Sequence, residues 1–315
     1  MKKYFFYSLF ILFSTAFVQE YTPWYTGPLL TQSADNLSPG QGNIQPYLFV
    51  LDSFAEYDSS WHRHRVDKTI VTNTLLFLQF GIFQFLDGTL RLSGFYKHKK
   101  NKDIVKLGDS AFEFGIQLLK DKKNSNIPSV RVVISERFPT GKYDNLNPNK
   151  GGIDATGKGC YETFVSLNLS KIVYWIKMHP TRFRLSLSYS FPSKVSVKNF
   201  NSYGGGYNTS GKVTPPNLFI TSFSFEYSFN RNWVYAMDFL CLKAKKTKFS
   251  GNPGTTIDGK TASNAPPSLI QISIAPAIEY NFSKNLGIIT GAWLSIAGKN
   301  VEDFISYVFS VTYTF

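Results

Sequence analysis

Four histidines, His62, His64, His98 and His179, are the only imidazoles in the 315 residues, and hydrolytic or metal chemistry would have to run through them. A Ser-His-acid set needs an imidazole held against a serine by a third group. Each of the four falls in or beside a predicted loop or turn, and none is followed two residues later by a serine. His62 and His64 would share one strand face, a spacing that could chelate a metal, but a pair of solvated loop residues explains them as well. Gly204-Gly205-Gly206 sits in a long loop with no strand-to-helix context, so a phosphate cradle has no support. The residues point to no enzyme, no cofactor and no metal.

Charges embedded in apolar alternation are the better candidates. Side chains of a strand point to opposite faces with a period of two. Over 110–120, Phe112, Phe114, Ile116 and Leu118 share one face, which turns Glu113 and Gln117 to the other; Val130 and Ile134 likewise oppose Arg131. Over 181–191, Phe183, Leu185, Leu187, Tyr189 and Phe191 oppose Arg182, Arg184, Ser186, Ser188 and Ser190. The same logic groups Arg91, Glu162, Glu226, Asp238 and Glu279 with the polar set. An Arg or Lys aimed at a bilayer midplane costs about 2–4 kcal/mol, so in spanning strands these residues must face an enclosed interior. Glu113 is expected beside Arg131, and Arg184 beside Glu226. The set reads equally as a pore lining or as an internal salt-bridge ladder.

The elements that would position them are strands. At the C-terminus Tyr307, Phe309, Val311, Tyr313 and Phe315 fall on one face, and Val308, Ser310, Thr312 and Thr314 on the other. A chain ending this way resembles substrates of the outer-membrane assembly machinery, with Tyr313 and Phe315 as the signal. Strands are predicted near 43–57, 67–85, 89–98, 110–120, 130–138, 160–176, 181–191, 217–229, 232–244, 267–282, 285–297 and 304–315. Connections at 86–88, 177–180, 230–231 and 283–284 are tight, and 121–129 is moderate. Those at 58–66, 99–109, 139–159, 192–216, 245–266 and 298–303 are mostly longer. Short turns on one side and long loops on the other predict an all-β, antiparallel up-and-down transmembrane β-barrel of about 12 strands, ten or fourteen if a strand is missed or split. Two similar hairpins, 226–233 and 279–286, place aromatics beside polar turns, as a periplasmic girdle would.

Residues 1–16 read as a secretory signal peptide cleaved before Phe17: Lys2 and Lys3, a short apolar run from Tyr4 to Phe13, then Ser14 and Ala16. Residues 17–42 form an extended, turn-rich periplasmic leader that could enter the lumen as a small stopper, and 43–315 the barrel. The formal charge of +13 falls to +11 when Lys2 and Lys3 leave. Much of it lies in predicted loops at 61–68, 97–106 and 243–248, which suits outer-membrane lipid and lipopolysaccharide and, in an exported barrel, not nucleic acid. Cys160 and Cys241 lie on opposite faces, so no disulfide is expected.

Several stretches resemble a family of outer-membrane β-barrels grouped with the "meta-pathway of phenol degradation" proteins: 23–30 (PWYTGPLL), 38–40 with 43–49, 138–143 (FPTGKY), 154–159 (DATGKG), 203–206 and 275–281. The resemblance implies an outer-membrane barrel passing small molecules, aromatic or hydrophobic ones among them, by passive diffusion, and assigns no catalytic residue. The loop from Pro139 to Gly159 could fold into the mouth as a constriction, with Lys142, Asp144, Lys150, Asp154 and Lys158 making it mildly basic. The rival expectation is a closed structural or interaction barrel whose external loops bind a host or envelope partner.

Overall fold

The structure, a computed structural model, describes residues 21, 23–122, 125–176 and 178–315; the expected signal peptide lies outside them. The strands in chain order are β1 (Gly42–Tyr57), β2 (Arg63–Phe83), β3 (Leu86–Lys99), β4 (Lys102–Leu107), β5 (Ser110–Leu119), β6 (Ser129–Phe138), β7 (Glu162–Val173) and β8 (Thr181–Pro192). They continue with β9 (Val195–Lys198), β10 (Ser210–Thr214), β11 (Leu218–Ser228), β12 (Trp233–Ala244), β13 (Lys248–Asn252), β14 (Leu269–Asn281), β15 (Leu286–Lys299) and β16 (Val301–Thr314). Each wall strand pairs antiparallel with its neighbours, and β1 pairs with both β2 and β16, so the sheet closes on itself. β4 and β5 both pair with β3 and form one wall strand, bent at Gly108 and Asp109 where the register slips by one. The result is a closed, twelve-stranded, all-β barrel.

Closure is what lipid demands, because every backbone donor and acceptor then has a partner within the wall. The alternation expected from the sequence sets the faces. Phe114, Ile134, Val165, Tyr189, Phe223 and Phe239 are exposed on the outside, while Ser186, Ser190, Ser224, Glu226 and Asp238 are buried inside. Aromatic pairs gather at the end that carries the short turns: Phe83 with Phe85, Tyr227 with Phe229, Trp233 with Tyr280, and Tyr313 with Phe315. Phe315 and Gly42 exchange backbone hydrogen bonds of 2.9 Å, which ties the last residue to the first strand. The Phe315 ring covers Gly42 so closely that a Cβ there would lie 2.5 Å from it. Gly42→Val is therefore expected to slow barrel closure severalfold, read as delayed heat-modifiability on refolding.

Three expected outer loops turn out to be strand in good part. β2 begins at Arg63, residues 102–107 are β4, and β15 turns into β16 at Asn300, whose φ of 51° supplies the bend. In these three hairpins the backbone ladder continues through residues expected as loop. The predicted loops 192–216 and 245–266 contain a separate sheet in the order β13-β10-β9. It packs Val195, Val197, Val213 and Phe249 on Cys160, Tyr143 and Tyr203, forming a cap with its own small core.

Candidate functional site

The interior is occupied by the leader. Of the expected leader, residues 21 and 23–41 run inside the barrel from the short-turn end, rise to mid-wall and return. Tyr25 donates to the carbonyl of Pro180 at 3.2 Å, and Asn281 donates to the carbonyl of Trp24 at 3.0 Å, near the turns. Deeper, the amide of Thr26 donates to Glu279 at 2.9 Å, and the amides of Leu30 and Thr31 donate to Asp238 at 3.2 and 3.0 Å. The Thr31 hydroxyl adds a 2.7 Å bond to Asp238. On the way back Asn36 meets Gln117 and Arg131, and the Leu37 amide donates to Asp87. Leu29 packs on Ala236, Ala275, Ala277, Ile289 and Val308, a wall patch whose small side chains make room for it. An irregular segment needs partners for its amides, and carboxylates make the strongest acceptors.

Leader and wall together fill the β11–β14 side and leave the β1–β3 side open. A cavity of about 440 Å3 lies there, between the leader and a wall bearing Gln45, Tyr47, Phe49, Phe77, Gln79 and Arg91. Toward the outer rim it shares Asn73, Leu75 and Arg91 with a second cavity of about 410 Å3, roofed by residues 155–158. Toward the short turns it shares Gln45, Gln79 and Arg184 with a third of about 230 Å3. The three follow one another along a single wall. Rings cluster on it: Tyr47 stacks on Phe49 at 5.7 Å, Phe77 meets Tyr47 edge-on at 5.6 Å, and Trp293 meets Phe49 at 6.5 Å.

The candidate lining residues divide accordingly. Arg91, Glu113, Arg131 and Arg184 border the central cavity, and Arg182 borders the lower one, where it lies over the Tyr25 ring. Asp238 and Glu279 hold the leader instead of facing free space. Glu226 is consumed by Arg184, at 2.7 and 3.1 Å, and Glu162 by Arg137, Lys158 and Ser190 at the outer end. Arg131 pairs with Asp87 and not with Glu113, which meets Arg91 at 3.4 Å. Gly115 explains the difference: a Cβ there would strike the Arg131 guanidinium, and its absence lets the side chain cross β5 to β3.

Among solved structures the chain aligns with an outer membrane channel from Pseudomonas putida F1, at a TM-score of 0.70 and 12% identity, over 91% of this chain and 100% of that one. The fold is that of an outer-membrane β-barrel. The β domain of the Bordetella autotransporter BrkA (TM-score 0.47, 9% identity, 88% of this chain and 100% of that one) aligns much more loosely. So does the CymD monoaromatic hydrocarbon channel (TM-score 0.40, 11% identity, 88% of each chain), and neither carries an argument. No family model and no curated protein matches the sequence.

In this barrel residues 155–158 of the loop from Pro139 to Gly159 line the outer cavity, and the loop is a tied structure. Asp109 accepts the amides of Gly141 and Lys158 at 2.9 and 2.8 Å, and Lys97 reaches the carbonyl of Ala155. Lys158 borders the outer cavity, whereas Lys142 and buried Asp154 pair at 3.3 Å within the loop. Asp144 and Lys150 line none of the three cavities. Asp109→Ala is expected to free the loop, read as protease cleavage between 142 and 158 about tenfold faster than in the native barrel, a loss of roughly 1.4 kcal/mol of local stability.

Three of the four histidines make structural contacts. His62 and His64 flank Asp58 at the β1–β2 tip, and the His64 hydrogen bond is the main reason that carboxyl is held down to about 2. His179 meets the Ser228 carbonyl and stacks on Tyr227. No group of three or more His, Cys, Asp or Glu among the described residues is placed to hold a metal. Cys160 is buried under the cap, where burial raises its thiol pKa, and Cys241 is exposed on the outer wall; both are free.

Proposed function

We propose that this barrel is a passive outer-membrane channel for small molecules, and that small aromatic or hydrophobic solutes are its cargo. The observation that carries the reading is the run of three contiguous cavities past the leader, with rings on one side and paired guanidinium groups on the other. Pockets that pair apolar surface with a few fixed polar groups suit amphipathic ligands. Aromatic faces add specific contacts worth about 0.5–1.5 kcal/mol each. The structurally similar Pseudomonas putida protein is an outer membrane channel, which supports the same role here.

The test is single-channel conductance of refolded protein in a planar bilayer, with small sugars and aromatic acids as blockers. Discrete openings that aromatic acids close are expected. Replacing Phe49 and Phe77 together by alanine should weaken that block about tenfold, the equivalent of about 1.4 kcal/mol of lost ring contact. A heat-modifiable barrel that stays silent would overturn the channel and favour a closed barrel working through its loops.

A further inference from the structure

The cations of this chain are distributed unevenly around the rim. On the β1–β4 side three of them are matched, Arg63 with Asp303, Lys68 with Asp52 and Lys100 with Asp67, while Arg65, Lys99 and Lys106 make no ion pair among the described residues. On the β11–β15 side none is matched among the described residues. Between residues 163 and 225, and again between 239 and 257 with Asp238 left behind in the lumen, the sequence has no Asp or Glu. Lys198, Lys212, Lys243, Lys248 and Lys299 make no ion pair among the described residues.

Strand register puts these lysines on one surface. Phe219, Lys243, Ile270 and Lys299 lie side by side across β11, β12, β14 and β15. Lys243 shares the outward face of β12 with Phe239 and Cys241, both exposed, so this row tops the lipid-facing wall. Above it, β10 and β13 continue the β11–β12 pairing: Leu218 opposes Ala244, and four residues on Thr214 opposes Lys248. The core face of this cap sheet is spent on Cys160, Tyr143 and Tyr203. Its other face therefore looks outward, carrying Lys198, Lys212 and Lys248 among Ser196, Ser210 and Ser250, all exposed. Lys248 is five residues from Lys243, at most about 18 Å along the chain.

We propose that this flank is a seat for lipopolysaccharide of the outer leaflet. Acyl chains would lie on the apolar wall beside Phe239 and Ile272, and the phosphates of the glycolipid headgroup would meet Lys243 and Lys299, then the lysines of the cap. The argument is charge complementarity at a defined height: an apolar wall, a cation row at its upper edge, and a serine-lysine face immediately above. A soluble polyanion would use the cap alone and have no need of the Phe219–Lys299 row. Cations beside an anionic membrane surface contribute about 1 kcal/mol each.

The experiment measures binding of bisphosphorylated lipid A, of the same lipid stripped of both phosphates, and of dextran sulfate to the full refolded chain in neutral detergent micelles. Two variants are compared with the native protein: one with serine at Lys198, Lys212, Lys243, Lys248 and Lys299, and a control with serine at Arg65 and Lys68 on the opposite flank. Heat-modifiability reports that each is folded. The five-lysine variant is expected to bind bisphosphorylated lipid A about ten- to a hundredfold more weakly, with the control unchanged and the stripped lipid binding poorly to all three. Equal binding by native and five-lysine proteins would overturn the proposal. So would dextran sulfate binding as tightly as lipid A, which would make the flank a general polyanion surface; should the variant fail to fold, Lys243→Ser with Lys299→Ser alone carries the same test.

Discussion

A barrel whose leader cannot dock is expected to conduct on the order of three to ten times more current than the native chain, because the leader and the wall it covers fill the β11–β14 side of the lumen. Ordering a chain costs about 1–2 kcal/mol of entropy per residue, so a segment without secondary structure stays in place only through its anchors. Here they run along its whole course, and the deepest are the amides of Thr26, Leu30 and Thr31 on Glu279 and Asp238, and Leu29 on its alanine patch. Leu29→Asp sets a carboxylate against Ala236, Ala275 and Ile289, a burial no partner offsets, and should eject the segment. Deleting residues 23–37 should reproduce the effect. The converse is a disulfide between Leu29→Cys and Ala275→Cys, which should hold current at the native level even when Asp238 is also changed to leucine. Equal conductance in native, Leu29→Asp and deleted chains would show that the leader does not limit flow.

The leader also shows where sequence reasoning stops. Strand faces are legible because alternation is local: Phe183 through Phe191 announce the outer wall, and the arginines between them must point inward. The leader has no such period. Its contacts run from backbone amides to carboxylates more than 200 residues away, and nothing in the spacing of Thr26 or Leu30 encodes a partner. Parity gives the face of Asp238 and Glu279 but not what they hold. Arg131 teaches the same lesson at shorter range. Its inward direction was readable, while its choice of Asp87 over Glu113 rests on the missing side chain of Gly115 on the intervening strand. The cap strands are short, four or five residues, so the alternation of Val195 and Val197, or a lone Val213 or Phe249, gives too weak a signal to separate from loop.

The second large effect concerns Arg184. Its guanidinium donates to both oxygens of Glu226, and the two side chains are 5% and 0% exposed. Gly27 of the leader passes over the pair at φ 111°, with its would-be Cβ 3.5 Å from the Arg184 guanidinium, so the ion pair supports the leader as well as the wall. Removing one member of such a pair leaves the other charged, buried and unpartnered, which costs about 3–5 kcal/mol. Glu226→Ala is therefore expected to lower stability toward urea by that amount, followed by tryptophan fluorescence of the refolded barrel. Glu226→Gln keeps an acceptor for one guanidinium hydrogen bond and should lose less. Replacing both residues by leucine should lose less than Glu226→Ala alone, because no stranded charge remains and apolar pairs of similar volume are tolerated in such places. If the double variant is instead the least stable of the three, the pair contributes net stability beyond mutual neutralisation. In that case the polar interior is itself part of what holds the barrel closed.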